Sequence, residues 1–261
     1  MHRLEASDGR GTVVIVHGAF EHAGRYHWLA EQWQAHGYNV LYGDLPGQGQ
    51  STRRRGHIRS FNEYIEQVSS WVHAAHGQGG PVFLLGHSMG GLAVIRTLQE
   101  KPELPVRGVI LSSPCLGIVN QPNRIKRTLG KGLNYVAPSM LVKGASGTGK
   151  ATRNEDVLTK DKEDTLMLTK VSVRWFNELN KAVDLAHKKH AQFPDVPLLV
   201  LQAGEDYYVQ SDRTLHWFNH LNIHEKSYKE WESLYHEVFN EPEREDVFRY
   251  AETFARHHLR K

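Results

Sequence analysis

Pro81-Val-Phe-Leu-Leu-Gly-His-Ser-Met-Gly-Gly-Leu-Ala-Val-Ile95 decides the reading of this chain. Its first half is an apolar run of strand length. Its second half opens a helix on small residues. Between them Gly86-His-Ser-Met-Gly90 fits G-x-S-x-G, the sharp strand-to-helix turn that lifts a serine hydroxyl above the end of a sheet. The glycines have a steric reason. Such a turn strains the serine backbone, and Gly86 and Gly90 leave room for it. Ser88 is therefore the candidate nucleophile.

Working outward, residues 12–16 form a continuous apolar run that ends at His17-Gly18 and read as a buried strand. Residues 25–34 read as a helix stopped by Gly37, and 39–42 as a second strand. A helix is expected over 61–76, strands over 106–111, 196–201 and 226–231, and a closing helix over 243–259. Strands alternating with helices predict an α/β fold, a parallel sheet covered on both faces. The alternation fails between Leu116 and His190, which reads as helical. The expected division is a core of residues 1–115 and 191–261 with a helical cap inserted over 116–190. Within the cap, Ile125, Leu129, Leu133 and Val136 share one helical face among Arg124, Lys126, Arg127 and Lys131. Leu168, Val171, Trp175, Leu179 and Val183 share a second.

The chain has 261 residues, 39% of them hydrophobic, enough for one generous domain or one domain with a large insertion. A single cysteine, Cys115, rules out an intramolecular disulfide and suits a reducing compartment. The first twenty residues lack a basic start followed by an apolar run, and no stretch of 18 apolar residues occurs. A cytoplasmic protein with no spanning helix is expected. The net charge is only +3, but residues 115–190 carry 14 Lys and Arg against 7 Asp and Glu. Such asymmetry suits either an anionic partner or a solvated helical surface. The run Arg53-Arg-Arg55 lacks the aromatic interleaving of a nucleic-acid site, so no nucleic-acid partner is expected. Gly144-Ala-Ser-Gly-Thr-Gly-Lys-Ala151 approaches a P-loop but ends in alanine, with no hydroxyl for magnesium.

A serine hydroxyl needs a base, and the base needs a group to orient it. In a sheet of this kind ligands bind outside the carboxyl ends of the strands. The partners should therefore follow strand ends, in the order Ser, acid, His. Asp206 follows the strand over 196–201, with Glu205 its reserve; His236 follows the strand over 226–231. Position selects His236 among 17 histidines: His216, His220 and His224 precede that strand, and His257 and His258 end the last helix. An oxyanion hole would take the backbone N–H of Met89 and one N–H from the loop 17–20, with Ala19 the choice.

His17-Gly-Ala-Phe-Glu-His-Ala-Gly-Arg-Tyr26 and Gly86-His-Ser-Met-Gly-Gly91 together resemble the monoacylglycerol lipase and lysophospholipase group of α/β-hydrolases, the serine aminopeptidase S33-like family. The spacing of Asp206 and His236 agrees, and the likeness covers nearly the whole chain. Asp44-Leu-Pro-Gly-Gln-Gly-Gln-Ser51 resembles the loop after the family's next strand, with Gln48 where histidine is common. Arg55-Gly-His-Ile-Arg-Ser-Phe61 and His236-Glu-Val-Phe-Asn-Glu-Pro-Glu-Arg-Glu245 resemble the Bacillus-type phospholipase branch. The resemblance implies an α/β-hydrolase fold, a triad of Ser88, Asp206 and His236, and an oxyanion hole of Ala19 and Met89. It also implies a cap over an acyl pocket, a single-chain lipid ester as substrate, and neither metal nor organic cofactor. Phe20, Glu21 and Arg25 lie beside the oxyanion loop and are candidate substrate contacts. The alternative for Glu21 and Arg25 is that their i,i+4 spacing pairs them with each other. A non-catalytic binding protein on the same fold and a short-chain carboxylesterase remain as other readings. The basic cap suggests peripheral contact with an anionic membrane.

Overall fold

The apolar runs become inner strands. β2 (Thr12–Val16), β4 (Val82–His87), β5 (Gly108–Ser112) and β8 (Leu198–Ala203) are buried along their whole length, as strands covered on both faces must be. Together with β1 (His2–Leu4), β3 (Asn39–Tyr42) and β9 (Lys226–Trp231) they form a seven-stranded sheet in the order β1-β3-β2-β4-β5-β8-β9. Every pairing is parallel except β1 with β3. This computed structural model describes residues 1–7, 9–119, 132–144 and 149–259.

Side-chain alternation divides the interior in two. Val14, Val16 and Leu84 face one hydrophobic cluster, beneath α2 (Asn62–His76), α3 (Met89–Glu100) and α6 (Ser211–His220). Val13, Ile15, Phe83 and Leu85 face the other, beneath α1 (His27–Ala35) and α7 (Arg244–His258). The fold is that of an α/β-hydrolase, a mostly parallel sheet between two helical layers.

Between β5 and β8 the chain makes β6 (Leu141–Lys143), α4 (Glu155–Glu163), β7 (Lys170–Ser172) and α5 (Val173–Lys188). β6 and β7 pair antiparallel, where only helix was expected. Leu168 and Val171 therefore lie before α5, and only Trp175, Leu179 and Val183 of the expected stripe belong to it. α5 sinks those three, with Ala182 and Ala186, into the same cluster as α2 and α3. Of the segment 116–190, this helix is thus built into the core face. Of the other expected cap helix, Arg124, Ile125, Lys126, Arg127, Leu129 and Lys131 lie outside the described residues; Leu133 is half-buried and Val136 exposed. Residues 145–148 of the P-loop-like run also lie outside them. Among the described residues no helix is long and apolar enough to cross a membrane, and no cluster of three or more His, Cys, Asp or Glu could hold a metal ion.

The run 53–55 is not a free basic patch. Arg53 pairs with Glu63, Arg54 donates to the Ser139 carbonyl, and Arg55 donates to the carbonyls of Thr165, Leu166 and Met167. Two of these arginines fasten the insertion to the sheet domain.

Candidate active site

Ser88 follows β4, the middle strand, and stands at the N-terminal end of α3 with φ 51° and ψ −118°. Few side chains tolerate that conformation, and it persists only where the surroundings impose it. Here the Ser88 N–H donates to the Ser112 carbonyl at 2.9 Å, and the Ser88 carbonyl accepts from Leu92 and Cys115 at 3.1 and 2.9 Å. A Cβ on Gly90 would stand 2.2 Å from the Val16 carbonyl oxygen, and one on Gly86 would stand 2.8 Å from the Gly90 oxygen. Gly90 lets the elbow press against β2, and Gly86 lets the turn close onto Gly90 and Gly91.

Asp206 and His236 come together from the loops after β8 and β9. The His236 Nδ1–H donates to Asp206 Oδ2 at 2.7 Å. Asp206 Oδ1 accepts the N–H groups of Tyr208 and Val209, each at 2.9 Å, and Gln202 lies 3.4 Å from Oδ2. Burial would push the Asp206 carboxyl up, but the His236 charge and these hydrogen bonds hold it below its ordinary range. Burial would likewise push His236 down, yet the Asp206 carboxylate raises it above its ordinary value. The imidazole is thus fixed in one tautomer, with Nε2 left to take a proton. Glu205, the reserve acid, is exposed and does not bond the histidine. His236 packs between Tyr208 and His87, ring centroids 5.2 and 4.8 Å away. Ser88 and His236 are both buried, and no hydrogen bond joins the hydroxyl to the ring. Such contacts are often loose until substrate binds.

The loop after β2 is held from both sides. The buried His17 ring accepts the Leu45 N–H at Nε2, 2.9 Å, so its Nδ1–H donates to the Gly18 carbonyl at 2.8 Å. Burial lowers its pKa and keeps the ring neutral. On the other side the Gly18 N–H donates to Glu21 Oε1. A Cβ on Gly18 would meet the Ser88 Cβ at 3.2 Å, so the loop lies against the elbow. The N–H groups of Ala19 and of Met89, the first residue of α3, meet no acceptor among the described residues. Phe20 has a positive φ of 67° and packs against Trp175, the rings tilted by 56° with centroids 5.5 Å apart. Ala19, Phe20 and Phe176 are partly buried and pack against the same core cluster as Trp175.

Glu21 and Arg25 are buried and paired with each other, the alternative that their i,i+4 spacing offered. Arg25 spends all five N–H groups inside the protein: on Glu21, on Asp161 at 2.9 and 2.7 Å, and on Glu237 at 3.0 and 2.8 Å. Glu21 Oε1 also accepts the Tyr26 hydroxyl at 2.7 Å. The i,i+4 pair is present, and two further carboxylates join it. Glu237 adjoins His236 in sequence and gave that much signal. Asp161, at the end of α4, had no local signal. Burial would raise Glu237, but Arg25 holds it down to about 2. His87, beside the nucleophile, is pushed down to about 4 by burial and by His236 and stays neutral.

Residues 7–243 match the serine aminopeptidase S33 family. The chain is 51% identical to phospholipase YtpA of Bacillus subtilis over 243 residues, 93% of this chain and 94% of that protein. It is 28% identical to human monoglyceride lipase over 235 residues, 89% of this chain and 77% of that protein. The crystal structure of Paleococcus ferrophilus monoacylglycerol lipase superposes with a TM-score of 0.88 at 30% identity, covering 98% of each chain. The chain belongs to the serine aminopeptidase S33 family of α/β-hydrolases. It is a carboxylic ester hydrolase.

Proposed function

We propose that this enzyme hydrolyses single-chain lipid esters, a monoacylglycerol or a lysophospholipid, through Ser88, His236 and Asp206. The observation that carries the proposal is the 2.7 Å bond from His236 Nδ1 to a buried carboxylate, on the loops that follow β8 and β9 in the sheet whose middle strand ends at the strained Ser88. In this reading Ser88 attacks the ester carbonyl while His236 Nε2 takes its proton. Asp206 fixes the tautomer and stabilises the imidazolium. The oxyanion is received by the N–H groups of Ala19 and Met89, the latter at the positive end of α3. His236 returns the proton to the leaving alcohol, and water then releases the fatty acid by the same two steps. Phe20, with Trp175 behind it, supports an acyl chain. The segment 116–190 supplies the cover, with α5 as its foundation. The chemistry asks for no metal or organic cofactor.

The names of the relatives support a lipid substrate: one is a phospholipase, and others are monoacylglycerol lipases. The single buried Cys115 fits a reducing, cytoplasmic setting. Tyr135, Val136, Met140 and Leu141 are exposed on the insertion, and with its excess of Lys and Arg they suit peripheral contact with an anionic membrane. The test is a panel of monoacylglycerols, lysophospholipids, diacyl phospholipids and short p-nitrophenyl esters. Highest kcat/KM on a single-chain lipid supports the proposal. Preference for the short esters returns the enzyme to the general carboxylesterases.

A further inference from the structure

One guanidinium ties together three parts of the molecule that the reaction needs in register. Arg25 lies just inside the short helical turn Ala23–Tyr26. Its partners are Glu21 on the oxyanion loop, Glu237 next to His236, and Asp161 at the end of α4. Only 4% of the Glu21 side chain and 5% of the Arg25 side chain reach solvent, so these ion pairs act in a poorly screened interior. The distribution of bonds on Glu21 is telling. Oε2 faces Arg25, while Oε1 takes the Tyr26 hydroxyl and the backbone N–H of Gly18.

The Gly18 N–H begins the residue whose carbonyl forms the peptide bond to Ala19. The His17 Nδ1–H holds that carbonyl. With the N–H and the C=O of Gly18 both taken, that residue cannot turn, and the direction of the Ala19 N–H follows. A side chain at Gly18 would collide with Glu21 Oε1 at 2.7 Å, so the carboxylate approaches as closely as a glycine permits.

Resting on the proposed Ser88 mechanism, we infer that Glu21 is a positioning residue for oxyanion stabilisation: its carboxylate aims the Ala19 N–H at Ser88 by holding the Gly18 N–H. Arg25 anchors that carboxylate to the His236 loop and to α4. The hydrogen bond to Gly18 does the aiming, and the ion pair is the mount.

This separation gives the test its sign. Glu21→Gln keeps an oxygen at the same reach and loses the charge. Glu21→Asp keeps the charge and draws the oxygen back by one methylene. Kinetics on a soluble short-chain ester, with Tm recorded for each variant, distinguish the two roles. The expected order of kcat is native, then Gln within about tenfold, then Asp. Glu21→Ala should lose roughly 10²–10³, the usual cost of one oxyanion donor. KM should stay within about threefold throughout, because the interaction acts on the transition state alone. Asp matching or exceeding Gln would overturn the inference in favour of a purely structural ion pair. A rise in KM with kcat unchanged would overturn it in favour of substrate contact. Should Glu21→Ala fail to fold, the Gln–Asp order still decides. Fluorophosphonate labelling of Ser88 in the native enzyme is the control. Its absence would mean that the proposed mechanism has failed, whereas labelling with the wrong variant order fails this inference alone.

Discussion

Gly90 cannot carry a methyl group without moving β2, because that carbon would stand 2.2 Å from the Val16 oxygen and 2.4 Å from the His17 oxygen. The oxyanion loop hangs from the same backbone, so Gly90→Ala should cost both stability and turnover. Thermal melts and kinetics on one preparation would show the two losses together. Ser88→Ala should lower kcat by roughly 10⁴–10⁶ while the melt stays within a few degrees. Asp206→Asn should lower it by about 10⁴, because the amide favours the wrong tautomer. The pH profile follows from His236. Its raised pKa means that the base is protonated, and activity lost, as pH falls through a value above 6.5. The same shift contributes stability that is full below the unfolded value and disappears as pH rises through the folded one. His87, held near 4, should add no second step between pH 5 and 9. A limb of kcat/KM at or below 6.5 would contradict the arrangement of His236 with Asp206. These residues were legible in the sequence because each sits at a strand end, where local pattern and chain order suffice. Glu237 and Asp161 were not, since what selects them is a partner far away in the chain.

At the scale of elements, the inner strands follow directly from continuous apolar runs. Their ends shift by one or two residues: β5 and β8 stop at Ser112 and Ala203 because parallel pairing carries them to His87 and Trp231. β1, β6 and β7 have three residues each, too few for a period to register. α4 has no buried residue, so no apolar stripe announces it. That helix is held instead by polar contacts at its end, the Arg25–Asp161 ion pair and the His22–Asp164 hydrogen bond at 2.6 Å. The two carboxylates that share Arg25 should respond in opposite ways. The folded protein favours ionised Glu237, whose pKa is near 2, and disfavours ionised Asp161, which burial raises despite Arg25. Glu237→Gln should therefore lower Tm clearly, and Asp161→Asn much less. Replacing Arg25 by Met should cost about 3–5 kcal/mol, since it strands buried carboxylates. By the same sign, the Glu237 contribution is complete above the ordinary carboxylate range and is lost as pH falls toward 2. Denaturant melts of the two amide variants decide the matter, and Asp161→Asn as the more damaging change would contradict it.

The whole molecule presents its chemistry at one edge. His17, Ser88, Asp206 and His236 all follow carboxyl ends of parallel strands, so one sheet carries the oxyanion loop, nucleophile, acid and base. Between β5 and β8, α5 is built into the core cluster, and Arg54 and Arg55 tie Ser139 and residues 165–167 to the loop after β3. Of the basic run 53–55, Arg54 and Arg55 are spent on this anchoring and Arg53 on Glu63 of α2. Vesicle sedimentation tests the remaining membrane proposal: binding to anionic vesicles, little to neutral ones, and release by about 0.5 M salt, where screening is strong. Equal binding to neutral vesicles would contradict it. The central claim is that Ser88, seated in its strained turn and served by His236, is the nucleophile. Fluorophosphonate labelling followed by peptide mapping tests it most directly. The account predicts one adduct, on Ser88, abolished by Ser88→Ala and strongly slowed by Asp206→Asn; an adduct on another residue, or labelling that survives Ser88→Ala, would contradict it.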